Sequence, residues 1–284
     1  MNIEYKFLSG IDLQTLFKAN ETAFSDYLVP IHLTKESFRN HLIQSGVDLS
    51  MSVGAFSNNN LIGYTLNGFG EWNGLNTAYN AGTGVIPEYR KLGIGSAMFE
   101  FMLPMLKTLG IQQMLLEVLC KNENAIKLYT KLGFVKIRIL NFFEQEESIK
   151  EPMTDNIVIR QINLFDWKNF QGFGDVKTAW QFSTESFQRS VAKKEILGAF
   201  YDDRCIGYSM FYVDSGLISQ LAITKEYRRR KIASKLISDM QNRVPSDKNL
   251  RFGNVDEGLK DFENFAESAN FKKTFSQFEM ILQL

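Results

Sequence analysis

Two stretches of this chain hold residues whose types and spacing could do chemistry. The first is RKLGIG, from Arg90 to Gly95, followed by Ser96. At a helix start the backbone N–H groups have no internal partner, and glycine lets an anion approach them closely, so a loop of this kind can cradle a diphosphate with help from the helix dipole. A glycine-rich turn that binds nothing is the other reading. The second stretch, roughly 30 residues on, is LLEVLCKNENAIKLYTKLGF. Here Asn122, Ala125 and Tyr129 lie three and four residues apart and share one helical face. A tyrosine phenol is neutral near pH 7 and can give up a proton, although Tyr129 also reads as a core aromatic. Glu117 could take a proton, or it could face solvent or pair with a cation.

The surrounding elements decide how much these residues mean. RKLGIG follows a strand-like run, TAYNAGTGV, and opens an apolar-periodic helix, SAMFEFMLPML. Gly133 and Phe134 end the helix of the second stretch and start a strand. The plan is then repeated. VIPEYRKLGIGSA, beginning at Val85, matches ITKEYRRRKIASK, beginning at Ile223, with an offset of 138 residues. Before each copy stand two strand-like runs that share GAF and IGY, and after each come a helix, a strand, a helix and a last strand. The polar, Pro-interrupted segment from Gln145 to Asp155 reads as a linker, which predicts domains at 1–145 and 146–284.

The second copy departs from the first where the chemistry would be. Lys231 and Ala233 replace the two glycines of the loop, and side chains there can obstruct close anion approach. Alignment on the terminal NF puts Ala266 opposite Tyr129, Leu259 opposite Asn122 and Asn254 near Glu117. The second domain is therefore expected to be degenerate and non-catalytic, although the basic run Arg228–Lys231 leaves anion binding open.

Totals narrow the field further. The 284 residues exceed the size at which one core usually stops growing, so two domains are expected. With 44% hydrophobic and 23% charged residues the composition is that of an ordinary folded, soluble protein. The 32 basic and 32 acidic side chains give no net field to recruit nucleic acid or a membrane. Only Cys120, Cys205, His32 and His41 represent their residue types, which points away from a disulfide framework, a metal site and a histidine triad. No targeting or membrane-spanning segment is evident, so a cytoplasmic protein is expected.

Together VxPxxRxxGxG and NxxAxxLYxxxGF resemble the Gcn5-related N-acetyltransferase (GNAT) family, in a bacterial tandem form. The resemblance implies an α/β (α+β) fold. Each domain would be a mixed, mostly antiparallel sheet flanked by helices, its fourth and fifth strands splayed to admit acetyl-CoA. It further implies contacts to acetyl-CoA from Gly84, Val85, Arg90, Lys91, Leu92, Gly93, Ile94, Gly95, Ser96, Asn122 and Ala125. Tyr129 would protonate the departing thiolate, and Glu117 matches the base of the ribosomal-protein alanine acetyltransferase branch. A backbone N–H near Gly84 and Val85, at an expected bulge, would meet the developing oxyanion. In AFSDYLVP, from Ala23 to Pro30, Asp26 or Tyr27 could orient an amine or could pack a turn between helices. The acceptor would be a small-molecule amine or a peptide amino group, and a homodimer is left open. The rival reading is a non-catalytic CoA-binding sensor or interaction module; nucleic-acid binding through Arg228–Lys231 is a distant third.

Overall fold

The computed structural model describes residues 2–29, 33–154, 156–162 and 172–284. Pro30, His32 and Asp155, named above, lie outside the described residues. The chain forms two compact units: one comprises Met1–Arg138, Arg189–Val191 and Phe278–Leu284, the other Ile139–Gln188 and Ala192–Gln277. Among the described residues, no helix is long and apolar enough to cross a membrane.

The first unit contains β1 (Glu4–Phe7), α1 (Leu13–Ala23), α2 (Lys35–Ser45), β2 (Val53–Ser57), β3 (Asn60–Trp72) and β4 (Leu75–Val85). After these come α3 (Ile94–Thr108), β5 (Gln113–Leu119), α4 (Glu123–Lys131) and the start of β6 (Val135–Gln145). Side-chain oxygens of Asp12, Thr34 and Asn122 cap α1, α2 and α4, satisfying N–H groups that a helix start leaves open. Strands β1 to β4 pair antiparallel, and β5 lies parallel to β4. Ile94, Met98, Phe99, Met102 and Leu106 of α3 are buried against Val53, Ile62 and Ala78. Full burial of each such side chain contributes about 1.5–3 kcal/mol.

The second unit contains the rest of β6 with β7 (Ile157–Gln161), α5 (Thr184–Arg189), β8 (Lys194–Tyr201), β9 (Arg204–Tyr212) and β10 (Leu217–Ile223). Then follow α6 (Ile232–Gln241), β11 (Arg251–Asp256), α7 (Phe262–Ser268) and β12 (Phe271–Gln283). The last residues of β12, from Phe278, belong to the first unit, where the strand lies between β5 and β6.

The repeat read from the sequence extends to irregularities in the backbone. Strand β3 holds one extra residue, Ile62, opposite Ala55 and Phe56 of β2, and β9 holds one, Ile206, opposite Ala199 and Phe200 of β8. Strands β4 and β10 each hold one extra residue, Ala81 and Ser219, four residues before Val85 and Ile223. The parallel neighbours then part in both units. Strand β5 pairs with β4 only from Thr77 to Asn80, and β11 pairs with β10 only at Leu217 and Ile218. The expected splay of the fourth and fifth strands is present in each.

Candidate active site

Strands and helix starts converge on the point where β4 and β5 separate. Alternation along β5 puts Met114, Leu116 and Val118 on the face packed by α3 and α4, and Glu117 on the other face. On that other face the Tyr79 hydroxyl of β4 donates to Glu117 Oε2. Glu117 Oε1 is sealed from solvent and has no hydrogen-bond partner among the described residues. Burial, and next the nearby Glu279 carboxylate, push the Glu117 carboxyl up to about 8, outweighing the opposing effects of Tyr79 and Arg138. The nearby Arg138 guanidinium grips Glu279 through both oxygens, at 2.6 and 2.8 Å.

On the α4 side, Tyr129 is buried against Phe99 and Phe134, with ring centroids 5.9 and 5.7 Å away. Burial pushes its phenol up to about 12, against a hydrogen bond with Thr83, so the proton stays on oxygen throughout the neutral range. Asn122 caps α4 by accepting from Ala125 N at 3.2 Å, and its side chain lies beside the half-buried Tyr27 phenol. Asn122, Ala125, Tyr27 and Tyr129 thus form one neighbourhood.

The bulge does not sit at Gly84 and Val85 as the glycines suggested; the extra residue is Ala81. Gly84 has a different reason: a Cβ there would lie 2.9 Å from that of Ala23, so glycine admits α1 to the sheet. Backbone direction follows from the ladder. Ile86 N donates to Ile62 O at 3.0 Å, and alternation turns Gly84 toward β3 but Val85 away from it, into the gap where β5 no longer pairs. His41 of α2 bonds the bulge through Nε2 and Ala81 O at 2.9 Å. Burial lowers its proton affinity below the ordinary 6.5, outweighing that bond. Below about pH 6.5 the unfolded chain therefore binds the extra proton while the native one resists it, and stability falls as pH falls toward the native value. In thermal melts at pH 7.5 and 5.5, His41→Gln is expected to lose this component, which can reach about 1.4 kcal/mol per pH unit.

At the loop, Lys91 and Gly93 take left-handed φ angles of 63° and 78°. Unlike α1, α2 and α4, helix α3 has no capping side chain, so the N–H groups of Ile94, Gly95 and Ser96 are open at its start. A Cβ on Gly93 would meet nothing within 4 Å, whereas one on Gly95 would press on Leu128 at 3.0 Å. Lys91, Leu92 and Gly93 are exposed. An exposed, uncapped helix start with room before it fits a diphosphate.

The side chain of Arg90 does something else. It donates to Val85 O, to Ala23 O and to both carboxylate oxygens of Asp26, the last two at 2.7 and 2.8 Å. Asp26 therefore braces the turn after α1 instead of standing free for an amine, and the cradle is left to backbone groups. Arg228 repeats the arrangement, donating to Ile223 O, Phe173 O and both oxygens of Asp175. Sequence reading missed Asp175, together with Tyr79, Thr83, Arg138 and Glu279. The signal for Asp175 was the repeat itself, since an arginine preserved in both copies needs a partner in both.

In the second unit Arg229 and Lys231 take the same left-handed φ angles, 63° and 60°, without a glycine. Register corrects one counterpart. The bulges equate Asn80 with Ile218, whose parallel partners are Leu116 and Phe252, so Gly253 and not Asn254 stands opposite Glu117. A Cβ on Gly253 would lie 2.1 Å from the Phe182 ring. That aromatic fills the place of the carboxylate. The pairing of Ala266 with Tyr129 agrees with the structure, because Gly133 and Asn270 both take left-handed φ just before Phe134 and Phe271.

Comparison with known proteins gives one answer for both units. Residues 14–134 match the model of the acetyltransferase (GNAT) family, and residues 170–280 that of an acetyltransferase (GNAT) domain. An N-alpha-acetyltransferase of Sulfurisphaera tokodaii is 37% identical over 60 residues, 21% of this chain and 36% of that protein. The matched segment thus spans about a third of that relative's length. A tandem GNAT protein from the clavulanic acid biosynthesis pathway aligns with a TM-score of 0.72 at 12% identity, covering 99% of this chain and 98% of its own. A GCN5-related N-acetyltransferase from Sphaerobacter thermophilus gives 0.72 at 13%, covering 99% and 95%. At these identities the structural likeness speaks for the fold alone.

Proposed function

Because the chain belongs to the Gcn5-related N-acetyltransferase family, in two tandem copies, we propose that its first domain, residues 1–145, transfers an acetyl group from acetyl-CoA directly to a primary amine of a small molecule or a peptide. The observation that carries this reading is the pair of proton carriers beside the β4–β5 gap. Glu117 has a buried, unpartnered oxygen on one face of the sheet, and Tyr129 is a protonated phenol on the α4 side.

Acetyl-CoA, when bound, supplies the activated acetyl thioester. The N–H groups at the start of α3 and the loop from Arg90 to Ser96 hold its diphosphate. Val85, turned into the gap, offers its N–H to the acyl oxygen as charge develops there. An alkyl ammonium loses its proton near pH 10.4, so the acceptor needs a base, and Glu117 Oε1 takes that proton. Tyr129 delivers its phenolic proton to the sulfur as it leaves. Tyr27, beside Asn122, lines the acceptor side, and Asp26 acts only by holding Arg90. No acyl-enzyme is required.

The second domain, residues 146–284, is the degenerate copy. Gly253 and Ala266 stand where Glu117 and Tyr129 would, and the Phe182 ring covers the first of these positions. Calorimetric titration of acetyl-CoA tests the assignment. One saturable site per chain is expected in the wild type, with a loss of at least about 100-fold in affinity for Gly93→Arg. Two sites would overturn the degenerate reading of the second domain. Binding without turnover over a broad amine screen would favour a CoA-binding sensor.

A further inference from the structure

Four charged or phenolic side chains form a row across four neighbouring strands, and the row draws on the far end of the chain. Tyr79 stands on β4, Glu117 on β5, Glu279 on the last part of β12 and Arg138 on β6, in that order across the first unit's sheet. Among the described residues, two carboxylates, Glu117 and Glu279, lie near the Arg138 guanidinium here. Glu279 is 1% exposed and receives Arg138 Nε and Nη2 on its two oxygens, while the Arg138 side chain is 16% exposed. Glu117 receives only the Tyr79 hydroxyl, on Oε2. The Trp72 ring lies 6.0 Å from the Arg138 guanidinium and adds no titrating group. Bidentate pairing is the strongest arrangement open to an arginine and a carboxylate. Arg138 thus holds Glu279 through both of its oxygens.

We propose that Glu279 is a positioning residue of the catalytic base: by holding Arg138 through both oxygens, it withholds that cation from Glu117 and keeps Glu117 Oε1 unpartnered and ready for a proton. The proposal rests on the reading of Glu117 as the base. It means that the acid–base chemistry of the first domain depends on a residue 162 positions beyond Glu117 in the chain. The consequences have definite signs. In Glu279→Gln, a nearby negative charge disappears, which favours the carboxylate, so Glu117 ionises at lower pH. In Arg138→Gln, a nearby positive charge disappears, so Glu117 ionises at higher pH.

The test follows the Glu117 carboxyl directly and through the reaction. The full chain is labelled with 13C at the glutamate carboxyl, the Glu117 signal is assigned with Glu117→Gln, and its titration is followed by NMR in wild type and both variants. The pH–rate profile of acetyl transfer is recorded in parallel, with melting temperatures to verify folding. The expected result is a fall of the Glu117 midpoint by about one pH unit or more in Glu279→Gln, a rise in Arg138→Gln, and matching displacement of the rate profile. A Glu117 midpoint that stays in place in a folded Glu279→Gln or Arg138→Gln protein would overturn the proposal, whatever the rates do. Displaced midpoints with an unmoved rate profile would uphold the coupling within the row and remove Glu117 as the base. Should one variant fail to fold, the other still decides, because each predicts its own direction.

Discussion

Replacing Tyr129 by Phe is expected to lower kcat by about 10²- to 10⁴-fold, the usual contribution of a positioned proton donor, while acetyl-CoA affinity changes by less than about threefold. The reasoning is geometric. The ring is fixed by Phe99 and Phe134, and Phe retains that packing, so the substitution removes one hydroxyl and little else. Thr83 keeps its contacts with Thr65 and Asn80. Single-turnover kinetics beside calorimetric titration would separate the two quantities. An unchanged kcat would remove Tyr129 as the acid and leave it a core aromatic.

Glu117→Gln is expected to cost a comparable factor and, in addition, to change the shape of the pH profile. With the Glu117 carboxyl pushed up to about 8, only about a tenth of it is ionised at pH 7. The wild-type rate should therefore rise about tenfold per pH unit on the acid side and level off above about pH 8. In the variant this rising limb should vanish. A raised proton affinity weakens no base that works near its own midpoint, since a carboxylate of ordinary acidity would be a poor acceptor for an ammonium proton. Should the Gln variant keep the rising limb, the titrating group is the acceptor amine itself.

What could be read from the sequence was local. The glycine-rich loop, the helix that follows it and the helix that carries Ala125 and Tyr129 each depend on spacing within about a dozen residues, and both helices formed where expected, with Asn122 as the cap of the second. The duplication was legible because two copies of one backbone need similar residues at similar places. What escaped was set by strand register. Tyr79, Arg138 and Glu279 reach Glu117 only because β4, β5, β12 and β6 lie side by side, an order that no local pattern encodes. Gly84 misled for the same reason: it is small because α1 presses on it, not because the strand bulges there. One residue of slip in the second copy exchanged Asn254 for Gly253, and only the ladder of β10 and β11 corrected it.

The path of the chain also has a consequence for assembly during synthesis. The sheet of the first unit includes residues from Phe278 onward, although its other strands are complete by residue 138. As the chain leaves the ribosome, β5, complete at Leu119, must wait for about 160 more residues with its far edge unpaired, and an unpaired edge invites association with other chains. Contacts of such sequence separation also slow folding, because the loop must close before they form. The N-terminal unit therefore cannot finish first, and its maturation is tied to completion of the unit encoded after it.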